Sequence, residues 1–299
     1  MIEAYPVENG TFGIRRWRLA LPSVVCSTQA ARRAVESVEY GKTVEHPLGC
    51  AQVGSDKEQT FNTLVGIGAH PNVSRTVVVG LGCEGVPAQE IAEGIRRRGR
   101  AAEAILIQAQ GGMKATIGQV ERTLTESGSE ARDRVGIEFH HLTVGLAHFQ
   151  AMGPSGQRLA EALRAAGARL IWSVEESQRG PGRFLRYAEP LPDDAVQGWM
   201  LAQGGEAASL TSLVAAGCHM VLSVGDLHHL GGHPIAPVVR LGVDPQMKAI
   251  LSDDVDGWIE DRSTEAWMAY VEAVANGQTT VSEELGGDLF AIARLGPTL

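Results

Sequence analysis

At 299 residues the chain exceeds the roughly 100–200 residues that one hydrophobic core comfortably serves, so two packed α/β lobes are expected. Its composition, 44% apolar, 20% charged and 5% aromatic with 36 glycines, excludes disorder on any large scale. Thirty-five acidic against 26 basic residues give a formal charge of −9, which argues against nucleic acid and membrane as partners and leaves a small-molecule substrate as the default.

In chain order, apolar β-branched runs alternate with amphipathic ones. Strands are expected at 19–25, 76–81, 104–109, 137–146, 169–174, 220–224 and 237–241, several of them apolar throughout, as strands buried on both faces should be. Helices are expected at 27–39, 56–68, 87–98, 115–126, 155–166, 205–216 and 263–276. Such alternation predicts an α/β fold of mostly parallel, doubly wound (Rossmann-like) sheets with ligands bound beyond the carboxyl ends of the strands. A break near 127–135, at Ser127-Gly128-Ser129-Glu130, divides an N-terminal lobe of residues 1–130 from a C-terminal lobe of 131–299, and a loop is expected over 178–197. No window approaches the ~18 apolar residues of a membrane span, and MIEAYPVENGTFGIRRW lacks the apolar stretch of a signal peptide, so the chain reads as cytoplasmic.

Four cysteines, Cys26, Cys50, Cys83 and Cys218, are too dispersed for a disulfide scaffold and read as reduced thiols. Cys83 follows the 76–81 run directly between glycines, and in His46-x-x-x-Cys50 the intervening Pro47 and Gly49 predict a turn able to aim an imidazole and a thiolate at one ion. The alternative for Cys50 and Cys83 is that each is a small buried hydrophobe. Cys26, just before a helix, and Cys218 read as core. His148 stands at another strand end in apolar surroundings, where a buried histidine bonded to backbone is the alternative to a ligand. His228, His229 and His233 sit in a glycine-rich turn with Asp226 close by, either an exposed loop or an acid–base group. Asp253-Asp254-x-Asp256 reads as a solvated acidic turn beside a helix rather than a cation site.

Several elements in order carry a family resemblance: Gly13-Ile14-Arg15, Leu21-Pro22-Ser23-Val24-Val25-Cys26, His46-x-x-Gly49-Cys50, His70-Pro71-Asn72-Val73, Val78-Val79-Gly80-Leu81-Gly82-Cys83-Glu84, Gln108-x-x-Gly111-Gly112, Pro234-Ile235-Ala236-Pro237-Val238-Val239 and Asp253-Asp254-Val255-Asp256. Together they resemble the altronate/galactarate dehydratase family, sugar-acid hydro-lyases that include the large subunit of sulfolactate sulfo-lyase. The resemblance implies a metal-dependent β-elimination of water from a small hydroxy acid, giving an enol that becomes a 2-keto-3-deoxy acid. Fe2+ is the implied cofactor, with Zn2+ or Mn2+ as alternatives.

Matching motifs then make His46, Cys50 and Cys83 the metal ligands, with Glu84 catalytic and Gln108, Gly111, Gly112 and Asn72 at the substrate. Aligned by Gly145-Leu146 and Ser155-Gly156, His148 stands where the family has a cysteine and Met152 where it has an aspartate. His148 thereby becomes a fourth ligand or a catalytic group, and two nitrogen and two sulfur donors would suit zinc or iron. His228 and His229 are further catalytic candidates. The family's small N-terminal domain is expected to be absent or to come from a separate partner subunit, and the chain is expected to form a homo-oligomer. The alternatives are a diverged metalloenzyme with hydrolase or isomerase chemistry, or a non-catalytic subunit with a structural metal.

Overall fold

A computed structural model describes the chain apart from residues 127–132, 176, 178, 181, 227, 295 and 297–299, so the expected break at Ser127-Gly128-Ser129-Glu130 lies outside the described residues. The chain opens on β1 (Ile2–Pro6) and β2 (Phe12–Gly13), then alternates β3 (Trp17–Pro22), α1 (Thr28–Val35), β4 (Gly41–Thr43), α2 (Gly54–Gly68), β5 (Val73–Gly80), α3 (Ala88–Arg97), β6 (Ala102–Leu106) and α4 (Met113–Thr125). After β7 (Val135–Ile137) the alternation resumes with β8 (Thr143–His148), α5 (Gly153–Ala165), β9 (Arg169–Val174), β10 (Arg183–Leu185), β11 (Gln197–Leu201), α6 (Gly205–Ala215), β12 (Met220–Gly225) and β13 (Val238–Gly242). The C-terminal part holds α7 (Pro245–Ile250), β14 (Gly257–Trp258), α8 (Thr264–Ala275) and α9 (Val281–Leu285).

These strands form a parallel four-stranded sheet, β4-β3-β5-β6, and a parallel seven-stranded sheet, β10-β11-β9-β8-β12-β13-β14. The mixed α/β architecture with parallel sheets is the one the alternation predicts. A small antiparallel sheet, β2-β1-β7, is added at the side. One expected strand, 137–146, is corrected: its residues are split between β7 and β8 by a single 3-10 turn at Phe139–His141. There the chain leaves β1 and enters the large sheet, a change of partner that apolar periodicity cannot register.

The layers follow from where the apolar faces go. Ala30, Ala31 and Ala34 of α1 and Val120 and Leu124 of α4 cover one face of the small sheet at Ala20, Val77 and Val79. Its other face is covered by α2 and α3, which share one core with α6 and the near face of the large sheet. The far face of the large sheet carries α5 and α8 around Leu146, Leu159, Leu163, Trp267 and Val271. The two sheets are therefore joined through a common helical layer. Among the described residues no helix is long and apolar enough to cross a membrane.

Buried polar residues tie the halves at the level of single groups. Asn72 accepts from the Ile14 N–H (3.0 Å) and donates to the carbonyls of His219 (2.9 Å) and Ile235 (3.2 Å). His70 donates from Nε2 to the Cys218 carbonyl at 2.9 Å. Arg15 donates to the carbonyls of Val274 (3.0 Å) and Gln278 (2.9 Å) and pairs in both directions of its fork with Glu283 at 2.9 Å.

Candidate functional site

In the four-stranded sheet β3 comes first in the chain, and the connections from β3 and from β5 run in opposite directions, so the crevice for a ligand opens between the carboxyl ends of these two strands. Ser23, directly after β3, donates its hydroxyl to Glu84 Oε1 at 3.0 Å, tying the loop after β3 to the loop after β5. Glu84 also accepts from the N–H of Gly82 on Oε2 (2.6 Å) and from that of Ala88 on Oε1 (3.4 Å). Burial alone would raise its pKa, but these donors outweigh it and hold the carboxyl below its ordinary range. A carboxylate so occupied shapes the loop and accepts protons poorly.

The loops after β3, β4 and β5 are laced together by backbone. Val25 N–H donates to the Leu48 carbonyl (3.0 Å), and the N–H groups of Gly85 (2.9 Å) and Val86 (3.2 Å) share the Gly49 carbonyl. This lacing brings Cys26, Cys50 and Cys83, all exposed, onto one rim. The expectation that Cys26 is core is thus corrected, and the buried alternative for Cys50 and Cys83 is not the arrangement found, whereas Cys218 is buried. After β6, Gln108 is exposed with its side chain over Gly82, and Gly111 and Gly112 have open space where side chains would stand.

The four expected metal ligands do not gather. His46 is 4% exposed; its Nδ1 accepts from the Leu48 N–H (3.2 Å), which leaves the proton on Nε2, and that nitrogen meets the Pro22 carbonyl at 2.9 Å. No lone pair remains for a cation. Burial lowers its pKa, opposed by the Pro22 carbonyl, so the ring stays neutral. His148 lies at the end of β8 in the other sheet, and among the described residues no three His, Cys, Asp or Glu side chains are grouped to hold a metal ion. The residues present therefore do not fit the implied divalent metal at His46, Cys50, Cys83 and His148. Asn72 is likewise corrected: fully buried and bonded to backbone at both ends of its amide, it cannot reach a substrate.

His46-Pro47, His70-Pro71 and His233-Pro234 share one device that sequence reasoning missed. In each the histidine Nδ1 accepts the N–H two residues on, from Leu48 (3.2 Å), Asn72 (3.0 Å) and Ile235 (3.2 Å). The repeated His-Pro dipeptide was the available signal: the proline removes the intervening donor, and the ring closes the turn as an Asx side chain would.

The seven-stranded sheet has its own crevice, between β8 and β12, because β8 is its first strand and later strands are added on both sides. His148 ends β8 with its edge toward Trp172 (centroids 5.1 Å apart), and burial lowers its pKa to about 4. Its Nε2 is buried and without a hydrogen-bond partner, so the expected backbone bond is not formed there. Beyond β12, Asp226 Oδ1 stands 2.7 Å from His229 Nδ1 and accepts the His228 N–H at 2.9 Å, while Oδ2 accepts from Gln150 Nε2 at 2.9 Å. The Phe149 ring lies parallel to the His229 ring, centroids 4.5 Å apart at 5°. The His228 side chain is exposed. Asp256, expected in a solvated turn, is instead 6% exposed and accepts from the Arg240 N–H (2.7 Å), the Val281 N–H (3.0 Å) and the Tyr270 hydroxyl (2.5 Å). Burial raises its pKa against these donors.

The loops of both sheets meet at the C-terminal segment. Asp288 pairs with Lys42 of β4 at 3.5 Å, and the Phe290 ring touches His46 on one side (centroids 6.2 Å) and His233 on the other (5.8 Å).

Residues 4–132, which build the β3–β6 rim, match the family described as D-galactarate dehydratase/altronate hydrolase, second domain. The chain is similar to the (2R)-sulfolactate sulfo-lyase subunit beta of Chromohalobacter salexigens, 33% identical over 122 residues that cover 41% of this chain and 31% of that protein. It is also similar to the altronate dehydratases of Bacillus subtilis (33% over 87 residues, 26% of this chain and 18% of that one) and Escherichia coli (31% over 93 residues, 28% and 19%). The match thus spans less than a third of the length of these curated relatives. Through residues 4–132, with their Ser23–Glu84 bridge and exposed thiol rim, the chain is similar to the second domain of the D-galactarate dehydratase/altronate hydrolase family.

Proposed function

We propose that the protein is a lyase, or the subunit of one, that eliminates water or a comparable β-leaving group from a small hydroxy acid taken up between the carboxyl-end rims of the four- and seven-stranded sheets, whose loops meet at the C-terminal segment. The observation that carries this reading is that, within the family-matched residues, Gln108 and the open Gly111-Gly112 turn follow β6 on the carboxyl-end rim, with the Gln108 side chain over Gly82 beside the β3–β5 switch point where doubly wound sheets take ligands. Gln108 supplies an amide able to bond a carboxylate or hydroxyl, and the Ser23–Glu84 bridge fixes the loop that faces it. The similarity to a subunit named beta favours an assembly with a second, smaller chain.

The test is to incubate the purified protein in D2O with galactarate, altronate and (2R)-sulfolactate, alone and with a small N-terminal-domain subunit, following products by proton NMR. A 2-oxo acid with deuterium at the carbon that lost the leaving group is the expected result. Stable, folded protein that leaves all three acids unchanged under both conditions would sink the reading.

A further inference from the structure

The family match ends at residue 132, so nothing in it assigns chemistry to the rim of the seven-stranded sheet. There the carboxylate–imidazole pair of Asp226 and His229 is oriented from every side. Asp226 is fixed by the His228 N–H and the Gln150 amide, so its Oδ1 is directed at His229 Nδ1. The backbone turn that returns His229 over the end of β12 is closed by its own N–H to the Asp226 carbonyl at 3.0 Å. Gly225 permits that return, because a Cβ there would overlap the His229 Cβ. The stacked Phe149 then fixes the plane of the ring.

The consequence is a defined tautomer. An ionised Asp226 can only accept, so the imidazole proton sits on Nδ1 and the lone pair on Nε2. The His229 side chain is 27% accessible, and no hydrogen bond to Nε2 is found among the described residues, which leaves that lone pair able to take a proton. Glu206, at the start of α6, flanks the pair and donates nothing to it: its Oε1 accepts the Gly231 N–H at 2.8 Å. Burial raises its pKa, with the Gly231 N–H, His229 and Arg240 acting against that and Asp226 adding to it.

We infer that His229, positioned by Asp226, is a general base that takes the proton from the carbon beside the carboxylate of a hydroxy acid. The C–H electron pair becomes the new C=C bond, the β-oxygen leaves with its bonding pair, and the imidazolium returns its proton to that oxygen so that water departs. This inference rests on the lyase reading for its substrate but not for its test.

Two measurements decide it. Diethyl pyrocarbonate acylates unprotonated, accessible imidazole nitrogens, and the ring of the neighbouring exposed His228 is paired with no carboxylate among the described residues, so it serves as an internal reference. His229 is expected to be labelled about tenfold faster than His228, an advantage lost in Asp226→Asn, and histidine 15N NMR is expected to place the His229 proton on Nδ1. With whichever acid is turned over, His229→Gln should lower kcat by about 10²–10⁴-fold with little change in KM. Equal labelling of the two histidines, an Nε2–H tautomer, or a His229→Gln variant that retains wild-type kcat each overturns the inference. If none of the acids is turned over, the lyase reading falls while labelling and tautomer still decide the base.

Discussion

The amide of Asn72 is spent entirely on backbone, accepting from Ile14 and donating to His219 and Ile235, whereas the amide of Gln108 lies exposed on the rim. Asn72→Ala leaves the Ile14 N–H and the His219 carbonyl buried without partners, each costing about 1–3 kcal/mol, while the Ile235 carbonyl keeps the Trp17 indole N–H at 3.1 Å, so a loss of roughly 2 kcal/mol or more is expected in urea unfolding. A loss below about 1 kcal/mol would show that water replaces the amide and that Asn72 is not a joint. Gln108→Ala removes no buried bond. It should leave the melting temperature within about 2 °C while lowering kcat/KM about tenfold, the value of one substrate hydrogen bond. The sequence made the rim legible because Cys83, Glu84 and Gln108 follow apolar runs that end in glycine. It could not distinguish Asn72 from Gln108, nor show that both nitrogens of His46 are engaged, because the carbonyl that meets each polar atom comes from elsewhere in the fold.

At the scale of elements, helices and sheet interiors were readable because a strand segment buried on both faces is mostly apolar, as Val77–Val79 of β5 and Met220–Leu222 of β12 are. Short edge strands were not: β4 reads Gly-Lys-Thr and β10 reads Arg-Phe-Leu, segments held by their neighbours and not by their own pattern. The shared helical layer was also invisible, since it depends on how closely α2 approaches α6. A Cβ on Gly66 would overlap the Ala215 carbonyl oxygen, so Gly66→Ala must push the two helices apart and should cost about 1–3 kcal/mol despite the better helix propensity of alanine. Gly118 sits in α4 with only the flexible end of Arg122 near a new Cβ, at 3.5 Å. Gly118→Ala should therefore stabilise by about 0.4–1 kcal/mol. Opposite signs in chemical unfolding are the expected outcome; a neutral Gly66→Ala would mean that the α2–α6 contact is not close-packed.

For the molecule as a whole, the joint between the halves is built on imidazoles that must stay neutral. Burial lowers the pKa of His219 and His148 to about 4, that of His233 to about 3, and that of His70 well below its ordinary value. His70 and His219 sit at the seam itself: His70 donates to Cys218, while His219 accepts from Thr143 (3.0 Å) and meets the Phe12 carbonyl at 2.8 Å. In the unfolded chain each imidazole titrates near 6.5, so the folded state binds fewer protons below that pH. The stability these residues contribute is complete above about pH 6.5 and is lost as the pH falls toward 4, by about 1.4 kcal/mol per unit for each histidine. Glu206 and Asp256 work in the opposite sense: their raised pKa values make the folded form the better proton acceptor, contributing stability at low pH that is lost as pH rises through the folded value. The histidines outnumber them, so urea midpoints should fall steeply between pH 6.5 and 4, and calorimetric unfolding at pH 5 should take up roughly two to four protons. Because the seam carries two of these rings, the tilt of the lobes should be the first thing acid loosens, seen as faster hydrogen exchange at the Thr143 and Asn72 amides before that of β5. A pH-independent midpoint across this window would mean that the imidazoles are hydrated or charged in the folded state, and the account of the seam as a neutral, dry joint would fail.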